Sequence, residues 1–148
     1  MKILVKNNKA YFDYEILEKF EAGISLLGFE VKSIRNGRAS IDSAFANFYN
    51  NELYLLNATV TAWQPKNAPK DYDVTRSRKL LLHKKEIDYL IGKIKEAKLT
   101  IVPLALLLKN NKIKVELGLA KNRKKADKRE VIKKRESDRE INQRMKEA

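Results

Sequence analysis

The chain of 148 residues contains no cysteine, one histidine, three prolines and one tryptophan. Without cysteine it can hold no disulfide framework, no thiol nucleophile and no thiolate-bound zinc or iron–sulfur centre. One histidine cannot build a multi-histidine metal cage. Although a carboxylate site stays open, we expect neither a metal nor a cofactor.

Long apolar runs are also missing. No stretch reaches the roughly 18 consecutive apolar residues that a membrane-spanning helix needs. The apolar part of the N-terminal segment is too short for a secretory signal. We therefore expect a soluble, cytoplasmic protein that does not associate with membranes.

Catalytic groups in a recognisable arrangement are absent as well. His83 stands between leucines and lysines, with no serine or aspartate at a spacing that indicates a triad. We interpret it as a surface or helix-start residue. The sequence has neither a glycine-rich phosphate loop nor a calcium-loop carboxylate pattern. These absences favour a binding protein over an enzyme.

Positive charge is what the chain has in excess, with 32 Lys and Arg against 19 Asp and Glu and a net charge of +13. Residues 121–148 carry 12 basic and 6 acidic residues and only six apolar ones, too few to build a core. This predicts a body of residues 1–120 and a basic tail of residues 121–148. We expect the tail to be disordered alone and helical when bound, and a merely solubilising tail is the alternative.

The N-terminal quarter is interpreted from its apolar spacing. A helix is predicted from Asp13 as its cap, through Ile16–Leu27, to Gly28 as its end. Alternation then predicts a strand over Phe29–Ile34, and Asn36-Gly37 indicates a tight turn.

The rest of the body reads as two hairpins and a helix. One hairpin pairs Phe45–Tyr49 with Leu53–Val60, and the other pairs Leu99–Leu108 with Ile113–Ala120. A helix is predicted through Ile87–Ala97. Within the second hairpin a proline at position 103 indicates an edge strand or a bulge. The pattern predicts a mainly β protein, a small antiparallel barrel with accessory helices.

Three basic clusters stand at predicted turns and strand ends. Two guanidinium groups about a tight turn suit a kinked phosphate backbone. OB-type barrels bind nucleic acid through basic clusters of this kind at their strand ends. For any one cluster a solvated face is the alternative, but together they favour nucleic acid, with RNA preferred over DNA. The clusters comprise Arg35, Asn36 and Arg38; Arg76, Arg78 and Lys79; and Lys112 and Lys114, continuing into Lys121, Arg123 and Lys124.

Six stretches, in order along nearly the whole chain, resemble the SsrA-binding protein (SmpB) family. They are NNKAYFDYEI from Asn7, FEAGISLLGFEVKSIRNGRAS from Phe20, RSRKLLLHKKEI from Arg76, TIVPLALL from Thr100, KVELGLAK from Lys114 and DKRE from Asp127. The resemblance implies an OB-like antiparallel barrel with accessory helices and a basic C-terminal tail. It also implies a factor that binds the tRNA-like domain of transfer-messenger RNA (tmRNA) and brings it to the A site of stalled ribosomes for trans-translation.

The resemblance assigns roles to particular residues. It implies that Glu30 and Lys114 support RNA binding, together with the segment Arg78–Leu82. A carboxylate beside RNA can accept from a base amino group or hold a neighbouring arginine in place, and a salt bridge to Lys32 or Arg35 is the structural alternative. The residues predicted for RNA are therefore Glu30, Lys32, Ser33, Arg35, Asn36, Arg38, Arg76, Arg78, Lys79, Leu81, Lys112 and Lys114.

The tail is expected to act at the decoding centre and in the message channel of the small ribosomal subunit. The residues predicted for it are Lys121, Arg123, Lys124, Asp127, Lys128, Arg129, Lys133 and Lys134. Family tails usually carry a glycine and, before the DKR triplet, an aromatic residue or histidine; here Asn122 and Ala126 stand in those places. The resemblance further implies indirect partners through the RNA, namely elongation factor Tu and alanyl-tRNA synthetase. A structural ribosomal protein or a general single-stranded RNA-binding protein is the alternative function.

Overall fold

The computed structural model describes residues 1–62 and 69–123. Most of the predicted tail, from residue 124 onward, and the segment 63–68 lie outside these ranges. The elements are β1 (Lys2–Lys6), α1 (Ala10–Asp13), β2 (Tyr14–Ile24), α2 (Gly28–Arg35), β3 (Ala39–Ser40), β4 (Phe45–Tyr49), β5 (Glu52–Leu56), β6 (Thr59–Val60), β7 (Arg78–Leu81), α3 (Lys84–Ala97), β8 (Thr100–Lys109) and β9 (Lys112–Asn122).

Seven strands form one antiparallel sheet that closes on itself. The strand order is β1-β8-β4-β5-β7-β2-β9, and a further pairing of β8 with β9 completes a ring. Strands β3 and β6 form a separate small sheet. This mainly β architecture with a few helices confirms the predicted fold class. Within the described residues, no helix is both long and apolar enough to cross a bilayer.

Both predicted hairpins are present, but the second strand of the first hairpin ends at Leu56, and Thr59–Val60, predicted as its continuation, pairs with β3 instead. Strands β4 and β5 pair around Asn50-Asn51, and β8 and β9 pair around Asn110-Asn111. All four asparagines have positive φ angles, between 50° and 62°, as a two-residue hairpin turn of this hand requires. The predicted bulge lies just after Pro103, where the pairing of β8 with β9 shifts register. The strand is not at an edge, because β8 has partners on both sides.

The predicted second helix is confirmed as α3, and His83 immediately precedes it. The first two predicted elements, in contrast, have the wrong type: the predicted helix is a strand and the predicted strand is a helix. The segment predicted as a helix is strand β2, which pairs with β9 from Tyr14 to Gly23. Its apolar residues Phe20 and Ile24 are four apart, and this spacing puts side chains on one face of a strand as well as of a helix. A bulge between Ile16 and Glu18 turns Ile16 to the opposite face, where it packs against a second small cluster.

The predicted strand over residues 29–34 is helix α2. Its buried residues are Glu30, Ser33 and Ile34, which is helical spacing. Asn36-Gly37 is not a hairpin turn but the end of this helix. Gly37 has a φ of +74°, its N–H donates to the carbonyl of Ile34, and the N–H of Arg38 donates to that of Ser33. These two bonds are a Schellman motif, which explains the glycine.

Alternation along the strands separates the core from the surface. Leu53, Leu55, Leu80, Val115 and Leu117 point into the ring and are almost fully buried. The residues between them in β5, β7 and β9 therefore point outward. This outer face positions the residues considered next.

Candidate nucleic-acid interface

One row of side chains crosses three strands on the outer face. Lys114 of β9 lies opposite Gly23 of β2, and Gly23 lies opposite Leu81 of β7. A Cβ atom at position 23 would stand 3.2 Å from the Cβ atom of Leu81. The glycine therefore lets the leucine, which is 53% exposed, lie across β2 toward Lys114.

This row forms part of a depression of about 350 Å³, which we call the lysine groove. Its floor is apolar and its rim carries two lysines at the turn between β8 and β9. Such a site can hold ribose or base on the floor while the ammonium groups bind phosphates. The lining residues that matter here are Gly23, Val31, Leu81, Asn111, Lys112 and Lys114.

Helix α2 brings further charge to the groove. Val31 lines the groove, and Arg35 is one turn further along the same helical face. Lys32 follows Val31, and both basic residues are exposed. The groove therefore brings together the predicted Leu81, Lys112 and Lys114. The predicted Lys32 and Arg35 are exposed on α2, the helix that supplies Val31 to the lining.

Beneath this surface, Glu30 is the centre of a buried polar network. Its carboxylate has no exposed surface and forms ion pairs with Arg76 and Arg78. Arg78 donates to Oε2 from Nε and Nη2 at 2.9 and 2.6 Å. Tyr72 donates its hydroxyl to the same oxygen at 2.8 Å, and the N–H of Leu27 donates to Oε1 at 2.8 Å.

The network fixes the ionisation of Glu30. Burial alone would raise the pKa of its carboxyl, but hydrogen bonds from Arg76, the Leu27 N–H, Tyr72 and Arg78 outweigh that effect and lower the pKa to about 2. The carboxylate therefore stays ionised and holds both arginines. Because Leu27 begins α2, the same carboxylate also ties the start of this helix to β7.

The comparisons with known proteins bear on the whole chain. The family model described as SmpB protein matches residues 4–147. The SsrA-binding protein of Mycoplasma mycoides subsp. mycoides is 50% identical over 137 residues, which cover 93% of each chain. That of Thermosynechococcus vestitus is 47% identical over 146 residues, covering 99% of this chain and 96% of the relative. The chain belongs to the SmpB family.

A solved structure agrees with this assignment. It belongs to work described as "tmRNA-SmpB: a journey to the center of the bacterial ribosome". It superposes with a TM-score of 0.67 at 42% identity, covering 86% of this chain and 93% of the solved chain. The resemblance found in the sequence is thereby confirmed at the level of the family and of the fold.

Three residues predicted for RNA are not at the surface of this SmpB-family chain. Glu30, Ser33 and Arg78 have no exposed surface, so direct contact with RNA is not open to them in this fold. Ser33 donates its hydroxyl to the carbonyl of Phe29 at 3.1 Å. Arg78 is fully engaged, donating also to the carbonyls of Ala58 and Val74. The partners of Glu30 are these distant arginines, and not Lys32 or Arg35.

The predicted Arg76, Lys79, Asn36 and Arg38 are at least partly exposed. Arg76 is partly exposed at 29%. Lys79 is exposed and pairs with Glu52, with its Nζ 3.0 Å from the carboxylate. Asn36 ends α2 and donates to the carbonyl of Lys32. Arg38 is exposed beyond the helix, where its carbonyl accepts from Thr61.

Two residues predicted for the tail belong to the described body. Lys121 lies in β9. Arg123 follows directly after this strand, and its Nε donates to the carbonyl of Tyr14 at 3.2 Å. Seven residues of strand separate Lys121 from Lys114, a span of roughly 23 Å. The lysine groove and the exit toward residue 124 are thus at opposite ends of β9. Lys124, Asp127, Lys128, Arg129, Lys133 and Lys134 lie outside the described residues.

Four residues of the site were missed from the sequence. Gly23 could have been noticed as an isolated glycine within an apolar stretch, which often marks a close approach. Val31 falls within the segment predicted as a strand, and Asn111 lies between the two predicted strands of the second hairpin, so neither position indicates a binding site. Nothing local marks Tyr72, whose contact with Glu30 crosses 42 positions.

Proposed function

We propose that this chain binds the tRNA-like domain of tmRNA in the lysine groove and brings it to the A site of stalled ribosomes for trans-translation. The observation that carries the proposal is that Lys112, Lys114 and Leu81 converge in one groove on the outer face. The names of the matched relatives and of the solved structure, which concern SsrA binding and tmRNA on the ribosome, support the same function.

The groove favours a structured RNA over an extended strand. Its two lysines follow the hairpin turn between β8 and β9, and the exposed Lys32 and Arg35 lie on α2, the helix whose Val31 lines the depression. Such an arrangement suits phosphates that converge where an RNA backbone bends. Because base-specific hydrogen bonding is not prominent among the lining residues, shape and phosphate position carry recognition.

Glu30 acts in this proposal as a positioning residue. It holds Arg76, Arg78 and the first turn of α2 together, and α2 bears Lys32 and Arg35. The role in RNA binding that the resemblance implies for Glu30 is therefore indirect in this proposal: the carboxylate fixes the elements that carry the cations.

The C-terminal part has a separate task in the proposal. Residues 121–148 would reach the decoding centre and the message channel, with residues 127–146 becoming helical there. The groove lies at one end of β9 and Arg123 follows the other end. This supports such a division, because one end can hold the RNA while the other faces the ribosome. Elongation factor Tu and alanyl-tRNA synthetase would be partners only through the RNA. The chain is then a cytoplasmic binding factor and not an enzyme.

Capture of the chain from its cells, followed by sequencing of the bound RNA, tests the proposal. We expect one small structured RNA with a tRNA-like end to be enriched far above other transcripts. Purified protein should also bind that RNA much more tightly than an unstructured RNA of equal length. Stoichiometric recovery with vacant ribosomes and no RNA preference would instead support a structural ribosomal protein.

A further inference from the structure

A second depression lies on the same outer face, two strands beyond the lysine groove. Its volume is about 460 Å³, and it is lined by Asn47, Phe48, Tyr49, Tyr54, Leu56 and Ser77. We call it the aromatic pocket. Three of its six lining residues are aromatic, and the function proposed above does not use them.

The two tyrosines of the pocket are arranged differently. Tyr49 is 70% exposed, which leaves most of its ring in water. Tyr54 is partly buried, and its hydroxyl donates to Glu52 at 2.8 Å. Glu52 in turn accepts from Lys79 at 3.0 Å, so the Tyr54 ring is held in place and the carboxylate beside it is neutralised. A ring fixed before binding loses little conformational entropy when a ligand stacks on it.

The aromatic pocket and the lysine groove lie on neighbouring strands of the same sheet. Asn47 of β4 lies opposite Tyr54 of β5, and Tyr54 lies opposite Lys79 of β7. Lys79 is two residues before Leu81, so the two side chains share the outer face. Three strand spacings, roughly 15 Å, separate Lys114 from Tyr54. A short run of nucleotides covers such a distance on barrels of this kind.

We propose that the aromatic pocket stacks an unpaired base of the same RNA whose phosphates lie on the lysine groove. This inference rests on the proposed function and adds a subsite to it. Aromatic rings stack on the face of any base. The neighbouring Lys79 ammonium can bind a phosphate of the RNA backbone between the two depressions. The amide of Asn47 and the hydroxyls of Tyr54 and Ser77 supply polar edges, which suit a base better than an aliphatic side chain of a protein partner.

Substitution of Tyr49 separates stacking from charge. Because the side chain is mostly exposed, Tyr49→Ala should leave the urea midpoint unchanged. It should weaken binding of the tRNA-like RNA by about 5- to 150-fold, the range found when a stacking ring is removed. Tyr49→Phe keeps the ring and should bind like the parent. The slope of log affinity against log salt should be the same for all three proteins, because a stacking ring releases no counterions.

Lys114→Ala serves as the comparison that distinguishes the two proposals. It should weaken binding and also reduce the salt slope by about 0.7 to 0.9, the value for one lost phosphate contact. If Lys114→Ala behaves so and Tyr49→Ala binds like the parent, the lysine groove stands and the stacking subsite is refuted. The pocket would then be a surface for a protein. If neither substitution changes affinity, the proposed function itself fails.

A scan of single abasic nucleotides through the unpaired positions of the RNA provides an independent measurement. At the stacked position, removal of the base should weaken binding to the parent and to Tyr49→Phe, but should have little further effect on Tyr49→Ala. Such non-additivity is the signature of a direct contact. The subsite is overturned if every abasic RNA loses the same factor with the parent and with Tyr49→Ala.

Discussion

Replacing Glu30 by glutamine removes one negative charge from the buried network and changes the shape of the side chain very little. In the parent, the carboxylate accepts from both Arg76 and Arg78, and neither it nor Arg78 has any exposed surface. The amide of glutamine would turn an N–H₂ group toward guanidinium donors, or leave Arg78 as a buried cation without a countercharge. Breaking a buried pair in this way costs about 3–5 kcal/mol.

That cost is a large part of the total stability of a domain this size, which is about 5–15 kcal/mol. Glu30→Gln should therefore lower the free energy of unfolding in urea by about 3–5 kcal/mol and the melting temperature by roughly 10 °C. The matched control is Glu52→Gln. Glu52 also accepts from a tyrosine hydroxyl and a cation, but at the exposed surface, so its loss should have a much smaller effect.

The pH dependence of the free energy of unfolding tests whether the charge of Glu30 is what stabilises the network. The pKa of Glu30 falls from an ordinary value of 4.5 to about 2 on folding. Its contribution to stability is therefore complete above pH 4.5 and is lost as the pH falls toward 2, which amounts to about 3 kcal/mol. The stability gap between the parent and Glu30→Gln should narrow over that window. A gap below about 1 kcal/mol at pH 7, or one independent of pH, would show that the network is not what holds α2 to β7.

Three further predictions concern other parts of the chain. A side chain at Gly118 meets Leu104 Cδ1 at 3.1 Å and Ile16 Cγ2 at 3.2 Å, so Gly118→Val should lower the free energy of unfolding by about 1–3 kcal/mol; an unchanged urea midpoint would contradict this packing. Gly92 lies within α3 with nothing within 4 Å of its added Cβ, so Gly92→Ala should raise stability by about 0.5–1 kcal/mol, and a loss in the same urea titration would count against it. Truncation after Arg123 should preserve affinity for the tRNA-like RNA and abolish tagging of stalled chains in a reconstituted translation assay, whereas equal loss of both would join the tail to the RNA site.

The hairpins and α3 could be predicted from sequence because their signals are local. Paired asparagines at positions 50–51 and 110–111 accept the positive φ angles of a tight turn, and the apolar residues of α3 recur at helical spacing only. The pattern of β2 is ambiguous, since apolar residues four apart fit a helix and a strand equally. Its pairing with β9, about 100 positions along the chain, decides the outcome.

The site divides in the same way. Lys112 and Lys114 could be placed at the surface because both flank a predicted hairpin turn. Leu81 was expected from the family resemblance alone, and its place in a run of three leucines predicts a core position, whereas it is 53% exposed. Glu30 is expected to matter from the family resemblance alone, and the sequence does not show its surroundings. Its partners Arg76 and Arg78 are 46 and 48 positions away, and no local pattern shows that such a pair is buried. Because Glu30 is buried, it supports the elements around the groove and does not itself contact RNA.

The central claim is that RNA binds at the lysine groove and not through net positive charge alone. Lys114→Glu and Lys93→Glu test it most directly, because both change the net charge equally. Lys114 lines the groove, whereas Lys93 lies on α3 near the ring of Tyr89. The measurement is the affinity of each full-length variant for the tRNA-like domain of tmRNA over a range of salt. We predict a loss of about tenfold or more for Lys114→Glu with a salt slope reduced by about 1, and near-parental binding for Lys93→Glu. Equal losses in the two variants would contradict the account.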